Sequence, residues 1–256
     1  DLVTAVGLPG ICIDAIIVTV TILGGILLGK LLKVDRDIAL LTSVGSGICG
    51  AAAVLGAESA VRTQPYKTAV AVATVVIFGT TAMFLYPVLY RSGIFVLPPE
   101  TMGIFAGSTI HEVAHVVGAG NAMGPEVSNV AIIVKMIRVI MLVPVLFIIS
   151  YAMARRAMAG NAEDAKSKID IPWFAILFLL VIGFNSLHLL SAEVVEFINK
   201  LDTFLLTMAM TALGAETSFD KFKKAGFKPF LLAALLFCWL ICGGYFLAKY
   251  VVPMIS

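Results

Sequence analysis

Apolar residues run along this chain in blocks of about twenty, with the polar residues gathered between them. As helices, blocks of this length cross the roughly 30 Å of hydrocarbon in a bilayer. The pattern predicts spans at residues 9–30, 67–90, 127–153, 171–190, 195–213 and 230–252. Lys30, Lys33 and Arg36 close the first, and Pro87 and Arg91 end the second. Residues 154–170 turn polar, carry Arg155, Arg156, Lys166 and Lys168, and read as a loop. Two further apolar stretches, 38–60 and 102–122, resist this reading. The first holds Gly45, Gly47, Gly50 and Gly56, too many for a plain span, and predicts two short helices meeting near residues 46–50.

The two odd stretches are copies of each other. Residues 45–60 return sixty-two positions later as residues 107–122, with eight of sixteen aligned residues identical, where shared composition gives roughly two. The internal repeat extends over 38–90 and 102–153. In membrane proteins, paired glycine-interrupted segments in corresponding positions point to a transport site near the bilayer midplane.

Two topologies fit. If each interrupted stretch dips in and returns to its own side, thirteen cations share the cytoplasmic face, Lys30, Lys33, Arg36, Arg62, Lys67 and Lys228 among them, and Arg91, Lys200 and Lys249 lie outside. If each crosses, Arg62 and Lys67 move outside and Arg91 moves inside. The positive-inside rule favours the re-entrant form. It also makes the copies enter from opposite faces, as an inverted repeat.

Composition agrees with this reading. Hydrophobic residues make up 60% of the chain and charged residues 13%, and the mean hydropathy is +1.03. No ordinary soluble domain has that balance. A net charge of +2 gives no case for nucleic acid. Cys12, Cys49, Cys238 and Cys242 all lie in apolar runs, against a disulfide framework or a cysteine zinc site. Asp1 in place of Met suggests that the start of the chain is missing.

Candidate chemistry gathers at the interruptions. Broken backbone survives in a membrane only against protein, ligand or a wet cavity. The helices after the breaks are expected to start near Ser46 and Ser108, aiming two positive helix ends at the membrane centre. That arrangement suits an anion held by Ser46, Gly47, Ile48, Cys49 and Gly50 from one copy and Ser108, Thr109, Ile110 and His111 from the other. Lys135 and Arg138 lie deep in the 127–153 span, three residues apart on one face, and join this set. The bland alternative is that they neutralise Glu112 or cap a neighbouring helix end. His111 and Glu112 are candidates to gate or carry a proton. Thr109 and Glu112 also fit a capping box. Asp14 reads as interfacial. Asn185, Ser186, Thr203, Thr207 and Thr211 read as helix glue, and Gly24, Gly25, Gly243 and Gly244 as points of close helix approach.

His111-Glu-Val-Ala-His115 is also a literal H-E-x-x-H, which sets two zinc ligands on one helix face with a glutamate base between them. An intramembrane metalloprotease using His111, Glu112 and His115 is therefore the alternative. Against it, the motif begins beside a break, a third ligand is not evident, and its counterpart Cys49-Gly-Ala-Ala-Ala53 carries no ligand pair.

At Ser46-Gly-Ile-Cys-Gly-Ala-Ala-Ala, Phe78-Gly-Thr-Thr-Ala-Met-Phe-Leu-Tyr-Pro87, Gly107-Ser-Thr-Ile-His-Glu-Val-Ala-His-Val-Val-Gly-Ala-Gly120, Val134-Lys-Met-Ile-Arg-Val139 and Met208-Ala-Met-Thr-Ala-Leu-Gly214 the chain resembles the YeiH family of bacterial inner-membrane proteins. Members of that family carry a sulfate-exporter label. The resemblance implies further helices before Asp1 and a distant kinship with bile-acid symporters and cation/proton antiporters. Relatives typically have glutamine where His115 stands, which weakens the zinc reading. They also have a serine within the Cys49–Ala53 segment that this chain lacks.

The expectation is thus an all-α polytopic membrane protein, a single transmembrane domain over residues 1–256 built as an inverted-repeat transporter with two re-entrant or broken helices. It is expected in the bacterial inner membrane, moving a small anion of the sulfate, sulfonate or carboxylate class by alternating access, with proton coupling as an option. No enzyme activity, cofactor or resident metal is expected. The expected partners are the anionic solute and the lipid bilayer, with a second copy of the chain left open.

Overall fold

The computed structural model describes residues 2–159, 177, 180, 181, 183–185, 187, 189–216 and 226–255. Among them every regular element is helical. Helices α1 (Leu2–Leu31), α2 (Arg36–Gly47), α3 (Ala51–Val61), α4 (Pro65–Arg91), α5 (Pro99–Thr109), α6 (Val113–Met123), α7 (Pro125–Ile140), α8 (Leu142–Ala159), α9 (Ala192–Glu216) and α10 (Phe227–Phe246) follow in order. A π-turn, Leu247–Val251, carries α10 into a last helical turn, Val252–Ile255.

Four stretches of the described residues are long and apolar enough to cross a membrane: Gly10–Leu31, Pro65–Arg91, Pro125–Arg155 and Phe227–Ile255. At 1.5 Å per residue, the 27 residues of α4 reach roughly 40 Å. Leu23, Leu27, Phe84, Val88, Ile148 and Tyr151 stand exposed on these helices. Such a belt is costly in water and suited to lipid. The span expected at 127–153 is interrupted once, at Met141 between α7 and α8. Pro144 accounts for it, since proline lacks an N–H and its ring crowds the carbonyl four residues back. The predicted 195–213 span is the helix α9, with a Glu196–Lys200 ion pair on its surface. Most of the expected loop at 154–170 and much of the 171–190 span lie outside the described residues, as do the side chains of Ser186, Thr203 and Thr207.

The interrupted stretches are α2–α3 and α5–α6. Each half-helix has 11 or 12 residues, or roughly 17 Å, about half the hydrocarbon thickness. Both pairs double back. Thr63 Oγ1, just after α3, donates to Asp37 Oδ2 at the start of α2 at 2.7 Å. Lys67 Nζ reaches Asp35 at 2.9 Å and Asp37 at 2.8 Å. The chain therefore leaves on the side where it entered. At the other end of α4, Arg91 donates to the carbonyl of Ala122 near the end of α6, so the second pair also returns to its starting side. One re-entrant hairpin stands at each end of α4.

Small residues let the hairpins pack closely. On α1, a Cβ at Gly25 would lie 2.1 Å from Ser43 Oγ and one at Gly29 2.4 Å from Ala39 Cβ, so α2 runs antiparallel along α1 almost in backbone contact. Gly103 and Gly107 do the same for α5 against Val130, Ala131 and Val134 of α7. Of the glycines expected at such contacts, Gly25 and Gly244 serve, the latter against Thr109 and Phe105, while a Cβ on Gly24 would meet nothing. Around the hairpins, Val44, Ile48, Val54, Val75 and Leu146 make one apolar cluster. Phe78, Tyr86, Phe105, Ile110 and Phe237 make another. Tyr86 stacks on Phe105 at 4.9 Å and its hydroxyl donates to Thr109 Oγ1.

The base of the first hairpin depends on two carboxylates. Asp35 caps α2 by accepting from the backbone N–H groups of Asp37 and Ile38. Partial burial works against the charge on Asp37, but hydrogen bonds from Lys67 and Thr63 hold its carboxyl below the usual aspartate value. Asp37 therefore stabilises fully above that usual value, and the contribution fades as pH falls through the lower folded one. Asp35→Ala should cost about 1 kcal/mol, as loss of a helix cap does. Thermal melts in detergent check both points: the Asp35→Ala protein melts lower, and Asp37→Asn flattens the acid limb of stability against pH.

Candidate functional site

Both breaks fall at equivalent positions of the repeat. Ile48 closes α2 and Ile110 closes α5, with α3 starting at Ala51 and α6 at Val113. This corrects the expected register: Ser46 and Ser108 lie in the last turns of the first half-helices and do not open the second ones. Thr109 is likewise no N-cap, for its hydroxyl donates back to Phe105 O. The ends that gather the predicted cations are therefore carbonyl ends, which carry partial negative charge.

Lys135 and Arg138 of α7 meet them. Lys135 Nζ donates to Ile48 O at 2.6 Å and Ile110 O at 2.7 Å, so one ammonium joins the matching carbonyls of the two copies. Arg138 donates through Nε to Gly47 O at 2.7 Å, through one terminal nitrogen to Ser46 O at 3.0 Å, and through the other, more weakly, to Ile110 O at 3.4 Å. Both side chains are wholly buried. Charged donors on carbonyls are worth about 1.5–3 kcal/mol each. The capping alternative raised by the sequence is thus what the geometry contains, and these donors are largely committed to protein.

The opposite polarity is met by Glu112. Its Oε1 accepts from the N–H of Ala51 at 3.1 Å, so the tip of the second hairpin caps the start of α3 in the first. Gly50 makes this fit possible. Its φ is +69°, and a Cβ there would stand 2.3 Å from Glu112 Cγ. In the repeat, Gly50 and Glu112 occupy the same position, so one copy leaves the space that the other copy's carboxylate fills.

His111 is fully buried beside the start of α6, and neither ring nitrogen has a hydrogen-bond partner among the described residues. A Cβ on Gly79 of α4 would lie 3.1 Å from its Cβ, and Phe237 stands 6.2 Å from its ring. His115, one turn on, has Nε2 3.3 Å from Thr80 Oγ1 and Nδ1 3.7 Å from Glu112 Oε2. Glu112 is extended, with φ −115° and ψ 154°, and α6 begins only after it. His111 and His115 therefore do not share one helical face, as a zinc motif requires. Among the described residues, no group of three His, Cys, Asp or Glu gathers around a common point. Ser46 Oγ is buried and without a partner among the described residues, and Cys49 is buried at the first break.

Sequence reasoning misplaced one group. Asp14, read as interfacial, lies about midway along α1 and is fully buried. The signal was its position within the 9–30 block, since an aspartate inside a span is by default functional. A 380 Å³ groove lined by Val18, Ile22, Leu40, Ile149 and Arg36 lies apart from the hairpin tips.

Fold and site together define a polytopic helical membrane protein with two re-entrant hairpins whose tips are joined by buried charge. The chain belongs to the family described as conserved hypothetical protein 698, which matches residues 1–233. A UPF0324 membrane protein of Bacteroides thetaiotaomicron is 66% identical over 252 residues, covering 98% of this chain and 75% of the relative. One from Bordetella bronchiseptica is 49% identical, covering 96% and 77%. The UPF0324 inner membrane protein YeiH of Escherichia coli K12 is 52% identical over 240 residues, covering 93% and 68%. The resemblance to YeiH is thereby borne out, and the chain is a multi-pass inner-membrane protein of that family. No solved structure matches it.

The joint between the tips yields a test. Gly50→Ala should destabilise by about 1–3 kcal/mol, the cost of a side chain in strained backbone, and should break the Glu112 cap. Adding Glu112→Ala should restore the steric part and leave the backbone part. Melting temperatures of the two single variants and the double variant measure this coupling.

Proposed function

We propose that this protein is a secondary carrier for small anions of the sulfate, sulfonate or carboxylate class, working by alternating access and coupled to protons. In this reading the two copies, 38–90 and 102–153, form an inverted repeat, and no covalent chemistry takes place. The observation that carries it is the pair of re-entrant hairpins at opposite ends of α4, meeting where Lys135 bonds Ile48 and Ile110 together. Half-helices meeting tip to tip inside a bilayer recur in carriers, whose two bundles rock about such a point.

The anion sits at the start of α6, whose first N–H groups have no side-chain cap, with His111 beside it offering an unpartnered ring. Lys135 and Arg138 supply the surrounding positive potential and hold the tips in register; Ser46 to Gly50 and Ser108 to Ile110 form the walls. Glu112 acts as the gate. While it caps α3, the tips are locked, and an anion arriving at the neighbouring start of α6 repels its carboxylate and loosens that cap.

Purified protein in proteoliposomes tests this by counterflow of sulfate, sulfonates, bicarbonate and small carboxylates at two pH values. One of these anions exchanges with the wild type. His111→Asn lowers its apparent affinity by about tenfold, a loss of roughly 1.4 kcal/mol, with little change in melting temperature. Lys135→Ala and Arg138→Ala abolish flux and also lower the melting temperature, because each leaves carbonyls uncapped. A wild type that exchanges none of the four classes rejects the carrier.

A further inference from the structure

Asp14 lies on α1, outside the anion site proposed at the start of α6. Gly25 faces Ser43, Gly29 faces Ala39, and a Cβ on Gly47 would meet Val18 O and Ile22 Cγ1. Helices α1 and α2 are therefore antiparallel, and each step back along α1 is a step forward along α2. One turn before Val18, Asp14 stands at the level of the first break. Its side chain is fully buried, and neither carboxyl oxygen has a hydrogen-bond partner among the described residues.

The surroundings sharpen the anomaly. Ile13 and Ile17 pack with Ile104 of α5, Val134 and Ile137 of α7 and Leu240 of α10, all apolar. The charges that reach Asp14 come from α7: Arg138 and Lys135 interact with it electrostatically. Beyond them, Lys135 also feels the charge of the Glu112 carboxylate. Both cations nonetheless spend hydrogen bonds on the carbonyls of the tips. A buried carboxylate without a bonding partner among the described residues, on a helix packed against one whose guanidinium bonds elsewhere, has two arrangements open to it. Either it holds a proton and leaves Arg138 on Ser46 and Gly47, or it is ionised and draws Arg138 away from them.

We propose that Asp14 is a proton-binding site whose occupancy sets whether Arg138 caps α2, making it the coupling site of the carrier. The step is a simple exchange: the carboxyl O–H bond breaks, the proton passes to water, and the negative charge left behind is neutralised by the guanidinium. Thr42 and Ser46, one turn apart on α2 and buried with hydroxyls unpartnered among the described residues, place polar groups along that helix between its base and the first break. Proton binding stands independently of the carrier reading; its coupling to an anion rests on that reading.

Infrared difference spectra of the purified full chain in lipid nanodiscs, taken between acidic and alkaline buffer, test the assignment. A carboxylic-acid C=O band from a buried group should vanish on alkalinisation, be missing in Asp14→Asn and persist in Glu112→Gln. Should Asp14→Asn not fold, Asp14→Glu should keep a titrating band at a shifted frequency. A band unchanged in either Asp14 variant, or no titrating band in the wild type, overturns the proposal. The spectra are taken without any solute, so loss of the band in Asp14→Asn supports proton binding even where liposomes move no anion.

Discussion

A half-helix that stops in the middle of a bilayer leaves its last carbonyls with no water to bond, and the rest of this structure depends on how that debt of hydrogen bonds is met. Here two such helices, α2 and α5, end at equivalent residues and present their carbonyls to one helix, α7. Lys135 and Arg138 satisfy them with cationic donors, and the buried charges are tolerated because they rest on negative helix ends. The arrangement is reciprocal. Without the cations the tips would hold orphan carbonyls in hydrocarbon, and without the tips α7 would carry two bare charges.

The internal repeat is complementary because its copies differ. Gly50 and Glu112 occupy the same place in the two hairpins, yet one is an empty cradle and the other a carboxylate long enough to reach across and cap α3. Two identical hairpins would place either two glycines or two carboxylates at the joint, and neither pair closes it. The difference at this position interlocks the two hairpins into a single unit.

That unit is polar and nearly self-satisfied. Lys135, Arg138 and Glu112 bond mainly to backbone, whereas His111, Ser46 and Asp14 are buried with polar atoms unpartnered among the described residues. The former group holds the tips in register. The latter keep hydrogen-bonding capacity that the described residues leave unused. Apolar clusters flank the hairpins on either side, so the polar centre is confined to the level of the breaks.

Much of this was legible in one dimension. Blocks of twenty apolar residues set the spans, because hydrocarbon thickness fixes helix length, and the repeated Gly-Ser-x-Ile segments marked the breaks, because broken backbone in lipid needs small and polar residues. Lys135 and Arg138 announced themselves by depth alone. Other features depended on where the chain turns by a residue or two. The breaks begin at Ile48 and Ile110, after Ser46 and Ser108, and that shift exchanges positive helix ends for negative ones and makes Lys135 and Arg138 caps. Glu112 could not be assigned to Ala51 from spacing, since that pair is joined only by packing across the bundle. The sequence by itself determined the membrane class, the half-helices and the buried cations, for these follow from local hydropathy. Which helix end each charge meets was decided only by the tertiary structure, because that depends on antiparallel register and on a cradle with no side chain.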